Sequence, residues 1–329
     1  MPVSAEPTLP FPARINPGVD ALKRHLDSWV AELNILPDDA VTAWSDGRYE
    51  RLVARMYPTG DTPLLELSGE VVLWLFLYDD VLDPGGSGGN PQYARAAGTS
   101  AVQILDGRSP TPPEDPVLLV LWQLRERLLP LCGPAWWQRL VTDMRDFTES
   151  LYREVEARVN NTLPDIHEYL AARRFTSGWP ILTDLVELTA RAEVPAELRR
   201  SAAYADVRCA SGDVACTIND ILSLRKEITA GERHNLVLIL QDLHGFGLDE
   251  AMNLALRRMA DRLGDYLDAR GRFLAHDAAA DAPTREAMTR YVTGLESLMR
   301  GSLDWSLETG RYRSASSAPT HAASTEEIS

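Results

Sequence analysis

The sequence predicts an all-α protein, a single helical domain of about ten to twelve helices. Three observations carry that expectation. Apolar residues recur at three- and four-residue spacing along most of the chain. No stretch shows the alternation and β-branched enrichment of a strand. The linkers between periodic stretches are short, and no shift in composition divides the middle of the chain.

Leu22, His25, Leu26, Trp29, Val30 and Leu33 mark the first amphipathic helix. Val71 to Tyr78 is apolar on every side, which suits a helix buried all round, and Pro84-Gly85 should end it. Leu119, Leu121, Leu124, Leu128 and Leu129 form another helix, stopped by Cys132-Gly133-Pro134. Trp136 to Arg158, Ile166 to Arg174, Ala196 to Glu227, Asp249 to Phe273 and Arg285 to Leu303 follow in the same pattern. The longest linkers are Pro84 to Asn90 and Gly107 to Asp115. The domain is expected over residues 17–313. Disorder is expected in the Pro-rich residues 1–16 and in the small, polar residues 314–329.

Composition narrows the function. The 329 residues are 45% hydrophobic and 25% charged, the balance of a globular protein. With 33 Lys and Arg against 48 Asp and Glu, the net charge is −15. Such a surface repels nucleic acid and anionic lipid, both bound mainly through basic patches. No apolar run is long enough to span a membrane, the best being Val71 to Leu77. The first residues lack the basic and apolar blocks of an export signal, so a cytoplasmic location is expected. Three scattered cysteines make neither a disulfide framework nor a zinc site, and the six dispersed histidines read as surface or packing residues. An anionic ligand would need metal ions, or a few placed basic groups, to invert the local field.

The end of the apolar helix breaks a local rule. Asp79, Asp80 and Asp83 crowd its last turn, where the helix dipole favours cations. Broken rules of this kind mark functional sites. Asp79 and Asp83, four apart, share one helix face and suit a hard divalent cation, which takes oxygen ligands and keeps several waters. The bland alternative is a solvated helix end.

A second oxygen-bearing stripe lies in Ile218 to Ile228. Asn219, Ser223 and Glu227 occupy i, i+4 and i+8, drifting only ~80° around the helix. An amide, a hydroxyl and a carboxylate make a reasonable Mg²⁺ site. The alternative is a polar outer face, which Arg225 and Lys226 would also fit.

The two motifs together, Phe76 to Asp83 and Asn219 to Glu227, resemble those of class I terpene synthases of the bacterial type. Tyr169 to Gly178 (YLAARRFTSG) resembles that family's diphosphate-sensing segment, with Arg173 46 residues before Asn219. Trp305 and Arg311-Tyr312 resemble its C-terminal ending. The likeness runs from about Phe11 to Arg313.

The resemblance implies an α-domain around a water-poor central cavity, three Mg²⁺ ions and a prenyl diphosphate substrate. Asp79 and Asp83 would hold two ions, with Asp80 supporting, by pairing with a basic residue. Asn219, Ser223 and Glu227 would hold the third. Arg173, Lys226, Arg311 and Tyr312 would donate to the diphosphate. Ser177 would present a backbone carbonyl to the cation, with Thr176 as the linking position. Phe76, Trp179 and Trp305 would line the cavity.

Farnesyl diphosphate, cyclised to a sesquiterpene, is the expected substrate. Geranylgeranyl diphosphate is the alternative, and geranyl diphosphate a lesser one. A chain-elongating prenyl diphosphate synthase and an inactive helical binding protein are the rival readings. The oligomeric state, monomer or homodimer, stays open.

Overall fold

The computed structural model describes residues 6–33, 44–82, 89–276 and 281–312. Among them there are twelve α-helices of eight residues or more, the four-residue helix Ala196–Arg199, 3-10 turns at Leu129–Leu131 and Gly310–Tyr312, and no strand. The first five are α1 (Val19–Leu33), α2 (Tyr49–Met56), α3 (Thr62–Leu82), α4 (Pro91–Leu105) and α5 (Pro116–Leu128). Then come α6 (Pro134–Val159), α7 (Ile166–Thr176), α8 (Trp179–Thr189) and the single turn α9 (Ala196–Arg199). The last four are α10 (Ala202–Ala230), α11 (Leu236–His244), α12 (Leu248–Ala275) and α13 (Ala282–Glu308).

Local chemistry sets the boundaries. Asp115 caps α5 by accepting from the backbone of Val117 and Leu118, with Pro116 at the first helical position. Asp165 and Glu168 close a reciprocal capping box on α7. The expected helix Ala196 to Glu227 is two helices, because the Ser201 hydroxyl accepts from Tyr204 N and starts a new one. Gly178, at φ 67°, separates α7 from α8, and the left-handed conformation it adopts suits glycine.

α3 runs through the middle of the bundle, packed by α1, α2, α5, α6 and α8. Its residues from Leu67 to Leu75 are all buried, and Val71 to Leu75 belong to the apolar run in which burial all round is expected. Glu70, just before that run, is charged yet has no exposed surface. It accepts from both Nη atoms of Arg127 on α5 and lies 2.7 Å from His25 Nε2 on α1. A buried carboxylate needs such partners. α10, the longest helix, packs along α12 and α13.

The N-terminal expectation requires correction. Residues 6–16 are an extended strap seated on the bundle, although residues 1–16 read as disordered. Leu9 and Phe11 are buried, and the Phe11 ring meets Tyr266 edge-on at 5.7 Å. Arg300 donates to the carbonyls of Leu9 and Phe11, and Asn16 Nδ2 to that of Gly60 at 2.8 Å. Proline here stiffens an extended segment whose alternate apolar residues reach the core. Phe11→Ala is therefore expected to destabilise the protein by about 3 kcal/mol, read from the urea midpoint. Residues 1–5 and 314–329 lie outside the described residues.

Candidate active site

A cavity of about 240 Å³ opens between α2, α3, α7, α8, α10 and α13. Its inner walls are apolar, from Leu52, Val72, Leu75, Phe76, Trp179, Leu182 and Trp305. Its polar margin carries Asp79 from α3, Arg173 from α7, Asn219, Lys226 and Glu227 from α10, and Arg311-Tyr312 from the final 3-10 turn. The fold thus brings Asp79 of the first predicted motif and Asn219 and Glu227 of the second to one opening.

On α10 the predicted stripe is real. Ser223 Oγ donates to Glu227 Oε1 at 2.6 Å, close enough for a single ion to touch both oxygens. Asn219 Oδ1 accepts from Arg173 Nη2 at 2.6 Å, and its second lone pair stays available. Asn219 Nδ2 in turn donates to the Tyr312 hydroxyl at 2.7 Å. Burial, and then the charge of nearby Asp220, push the Glu227 carboxyl above its ordinary pKa. A cation beside it would oppose that shift and favour the carboxylate. The donor set therefore fits a hard divalent ion.

On α3, Asp79 lines the cavity, while Asp80 turns to Arg311. Asp80 Oδ1 accepts from Arg311 Nη2 at 2.6 Å, the pairing role expected of it. Asp83 lies outside the described residues. Arg311 also donates to Tyr49 Oη at 2.9 Å, and its guanidinium stands 5.2 Å from the Phe76 ring centroid.

Arg173 is held in place from several sides. Its Nε donates to Asp220 Oδ1 at 3.0 Å, and its Nη1 reaches Thr176 Oγ1 at 3.5 Å. Burial disfavours the guanidinium charge, but Asp220 outweighs it and holds the pKa well above the ordinary value. Ser177 ends α7. Its hydroxyl donates to Arg174 O at 2.9 Å and accepts from Trp179 N and from the Cys216 thiol.

Aromatic rings pave one wall. Phe76 lies 4.9 Å from Tyr49 and 6.0 Å from Trp305, and Trp305 meets Tyr312 edge-on at 5.6 Å. Trp305 Nε1 donates to Gly47 O at 2.7 Å, which leaves the ring to face the cavity. Trp179 is nearly sealed, and its Nε1 donates to Ser211 Oγ at 3.2 Å. Gly212 on α10 admits that indole, since a Cβ there would lie 2.8 Å from Trp179 Cδ1. Phe76→Ala is expected to change the product mixture as well as the rate, measured by gas chromatography of the extracted products. An unchanged mixture would reduce Phe76 to packing.

The family comparison decides the class. Residues 70–265 match the terpene synthase family 2 C-terminal metal-binding region. The chain belongs to the terpene synthase family. It is 31% identical over 312 residues to (+)-T-muurolol synthase of Roseiflexus castenholzii, a protein named for cyclising (2E,6E)-farnesyl diphosphate. That match covers 95% of this chain and 93% of the relative. Pentalenene synthase of Streptomyces exfoliatus is 31% identical over 319 residues, covering 95% of this chain and 94% of its own. Among solved structures, a cucumene synthase variant superposes with a TM-score of 0.82 at 27% identity, covering 92% of this chain and 99% of that one. An α-eudesmol synthase shares the fold, at TM-score 0.85 and 20% identity, over 93% of this chain and all of its own.

The terpene synthase site also contains residues that sequence reasoning passed over. Asp220 is buried and accepts from Tyr169 Oη at 2.6 Å, Arg173 Nε and Leu236 N. It sits beside Asn219 in the same motif, which was its only sequence signal. Asn235 Nδ2 donates to Glu227 Oε2 and to Asp220 O, both at 2.7 Å. Tyr49 joins the aromatic wall.

His234, read from sequence as a surface or packing residue, lines the cavity instead. Its Nδ1 is 3.0 Å from Glu232 Oε1, and Glu154 completes a cluster whose ligand atoms lie within 4.8 Å. Burial pushes Glu232 up, but the hydrogen bonds from His234 and the Arg158 charge bring it down to about 2. Arg158 already bridges Glu232 at 2.8 Å and Glu154 at 3.3 Å, so this cluster holds its own cation. Among the described residues no helix is long and apolar enough to cross a membrane.

Proposed function

We propose that this terpene synthase ionises farnesyl diphosphate with the help of Mg²⁺ and cyclises the resulting cation to a sesquiterpene. The observation that carries the reading is the meeting of Asp79 with Asn219, Glu227 and Arg173 at the opening of one apolar, aromatic-walled cavity. The names of the relatives support the fifteen-carbon substrate, as one cyclises farnesyl diphosphate.

Asp79, with Asp83 beyond the described residues, and the set Asn219, Ser223 and Glu227 would hold the ions, three in number. Bound there, Mg²⁺ supplies Lewis-acid stabilisation of charge on the departing diphosphate. Arg173, Lys226, Arg311 and Tyr312 supply N–H and O–H donors to the same oxygens. As the allylic C–O bond breaks, its electron pair leaves with the diphosphate, and the donors answer charge that grows in the transition state. Burial pushes the Tyr312 hydroxyl up to about 12, so it stays a donor at neutral pH.

The apolar walls then keep water from the cation. The faces of Phe76 and Trp305 can stabilise it by ~2 kcal/mol or more once desolvated. Ser177, at the break between α7 and α8, would offer its carbonyl, with Thr176 coupling it to Arg173. Loss of a proton leaves a neutral cyclic hydrocarbon.

The test is incubation with the C10, C15 and C20 diphosphates, with and without a chelator, followed by hydrocarbon analysis. A cyclic product from the C15 substrate that vanishes on chelation is expected. Turnover of the C20 substrate alone would overturn the chain length. No hydrocarbon from any of the three would overturn the reading.

A further inference from the structure

The two oxygen motifs stand on different helices that border one cavity, α3 and α10, and side chains outside the motifs join them. On one flank the link is the C-terminal pair. Arg311 donates to Asp80 on α3, and Tyr312 accepts from Asn219 on α10. The proposed reaction gives both of those groups to the diphosphate, so this link yields as substrate binds.

On the other flank the link is Arg158, in the last turn of α6. Its Nη1 donates to Leu82 O at 3.1 Å, a carbonyl at the end of α3, where a helix leaves such groups without a helical partner. Asp79 stands three residues before Leu82, and Asp83 follows it in sequence. Arg158 Nε and Nη2 both donate to Glu232 Oε2, at 3.1 and 2.8 Å, and Nη2 also reaches Glu154 Oε1 at 3.3 Å. A planar guanidinium can serve acceptors in three directions at once, which an ammonium on a flexible stem does less well.

Glu232 carries the link on to α10. Its backbone N–H donates to Glu227 O at 2.9 Å, just past the helix-ending Gly231 at φ 73°. Its Oε1 accepts from the backbone N–H groups of Arg233 and His234, which fixes the turn, and Asn235 then holds Glu227 Oε2. Burial opposes its ionisation, yet the His234 hydrogen bonds and the Arg158 charge bring the Glu232 carboxyl down to about 2, so it is charged at neutral pH. Among the described residues that border the cavity, Glu154 and Glu232 are present and Arg158 is not. Arg158 therefore reaches the site only through the elements it joins.

We propose that Arg158 and Glu232 are positioning residues, which hold the α3 and α10 motifs at the separation where one diphosphate meets the ions of both. The inference rests on the metal reading above and adds what sets the spacing, since neither residue ligates an ion in that reading. Mg²⁺ takes its oxygens at ~2.0–2.1 Å in near-octahedral geometry, so a slip of about 1 Å between the motifs puts one set out of reach.

The experiment is calorimetric titration of inorganic diphosphate into Arg158→Met, Glu232→Gln, the double variant and the unaltered protein, with excess Mg²⁺ and again with a chelator. Arg158→Met keeps the reach of the side chain and removes every donor, while Glu232→Gln keeps the shape and removes the charge. The Mg²⁺-dependent Kd is expected to rise about 10- to 100-fold in Arg158→Met, the range for groups that orient metal ligands, and by less in Glu232→Gln. The double variant is expected to match Arg158→Met alone, because the two residues act through one contact. Arg158→Lys serves if the methionine variant does not fold, with a loss of about tenfold expected.

A merely structural role would lower the urea midpoint and leave the Kd of the folded protein where it was. A Kd within about twofold of the unaltered protein in a folded Arg158 variant would therefore overturn the inference. So would a double variant whose loss is the product of the two single losses. Failure of the metal reading shows separately, as diphosphate binding that is absent from the unaltered protein or unmoved by chelation. That result takes the inference down with it, whereas the first two leave the metal reading standing.

Discussion

Asn219→Ala is expected to lower kcat/KM for farnesyl diphosphate by about 10³-fold, an effect of the size seen when a group acting on transition-state charge is removed. The substitution deletes one of three oxygens on the α10 stripe. It also releases Arg173 Nη2 and Tyr312 Oη, both of which now meet at this amide. One proposed metal oxygen and two diphosphate donors thus lose their register together. The fold should survive, because Asn219 is only half-buried and alanine is the better residue for a helix interior. Steady-state kinetics across Mg²⁺ concentrations, with a urea melt beside them, check both halves. Undiminished turnover would remove Asn219 from the metal set.

Asp220→Ala is expected to act on stability and activity at once. Asp220 is 1% exposed and is the shared acceptor for Tyr169 Oη, Arg173 Nε and Leu236 N. Removing it leaves a guanidinium in a desolvated place without its counter-charge, a change that costs about 3 to 5 kcal/mol in comparable buried pairs. Asp220→Asn separates the two effects. It keeps an acceptor and the shape but discards the charge, so it should recover much of the stability. Turnover should still fall by about 10- to 100-fold, as when the groups that orient a metal site are altered. Equal stability and equal turnover in both variants would make Asp220 a spectator.

The class of fold could be read from residue spacing, while the roles of the diphosphate-facing groups came from the family resemblance. The apolar run from Val71 to Tyr78 demanded burial on all sides, and every residue of it but the half-buried Phe76 is buried. Asn219, Ser223 and Glu227 share a face by helix geometry alone, and Arg173 meets Asn219 across the gap between α7 and α10. What escaped notice depended on tertiary contact. Proline-rich residues 6–16 looked disordered until Leu9 and Phe11 found a buried seat. The break at Ser201 was hidden because apolar periodicity continues across it, and only the capping bond to Tyr204 reveals it. Asp220 carried no spacing signal beyond its neighbour Asn219, since its work is to hold Arg173 rather than an ion. His234 was one scattered histidine among six until α10 and α11 brought it to the cavity.

The most direct test of metal-assisted ionisation at this site is the joint release of diphosphate and hydrocarbon from farnesyl diphosphate. One diphosphate per molecule of cyclic C15 product is expected, with both lost on chelation and both restored by added Mg²⁺. Diphosphate released only when isopentenyl diphosphate is supplied, with a longer prenyl diphosphate as the product, would contradict it.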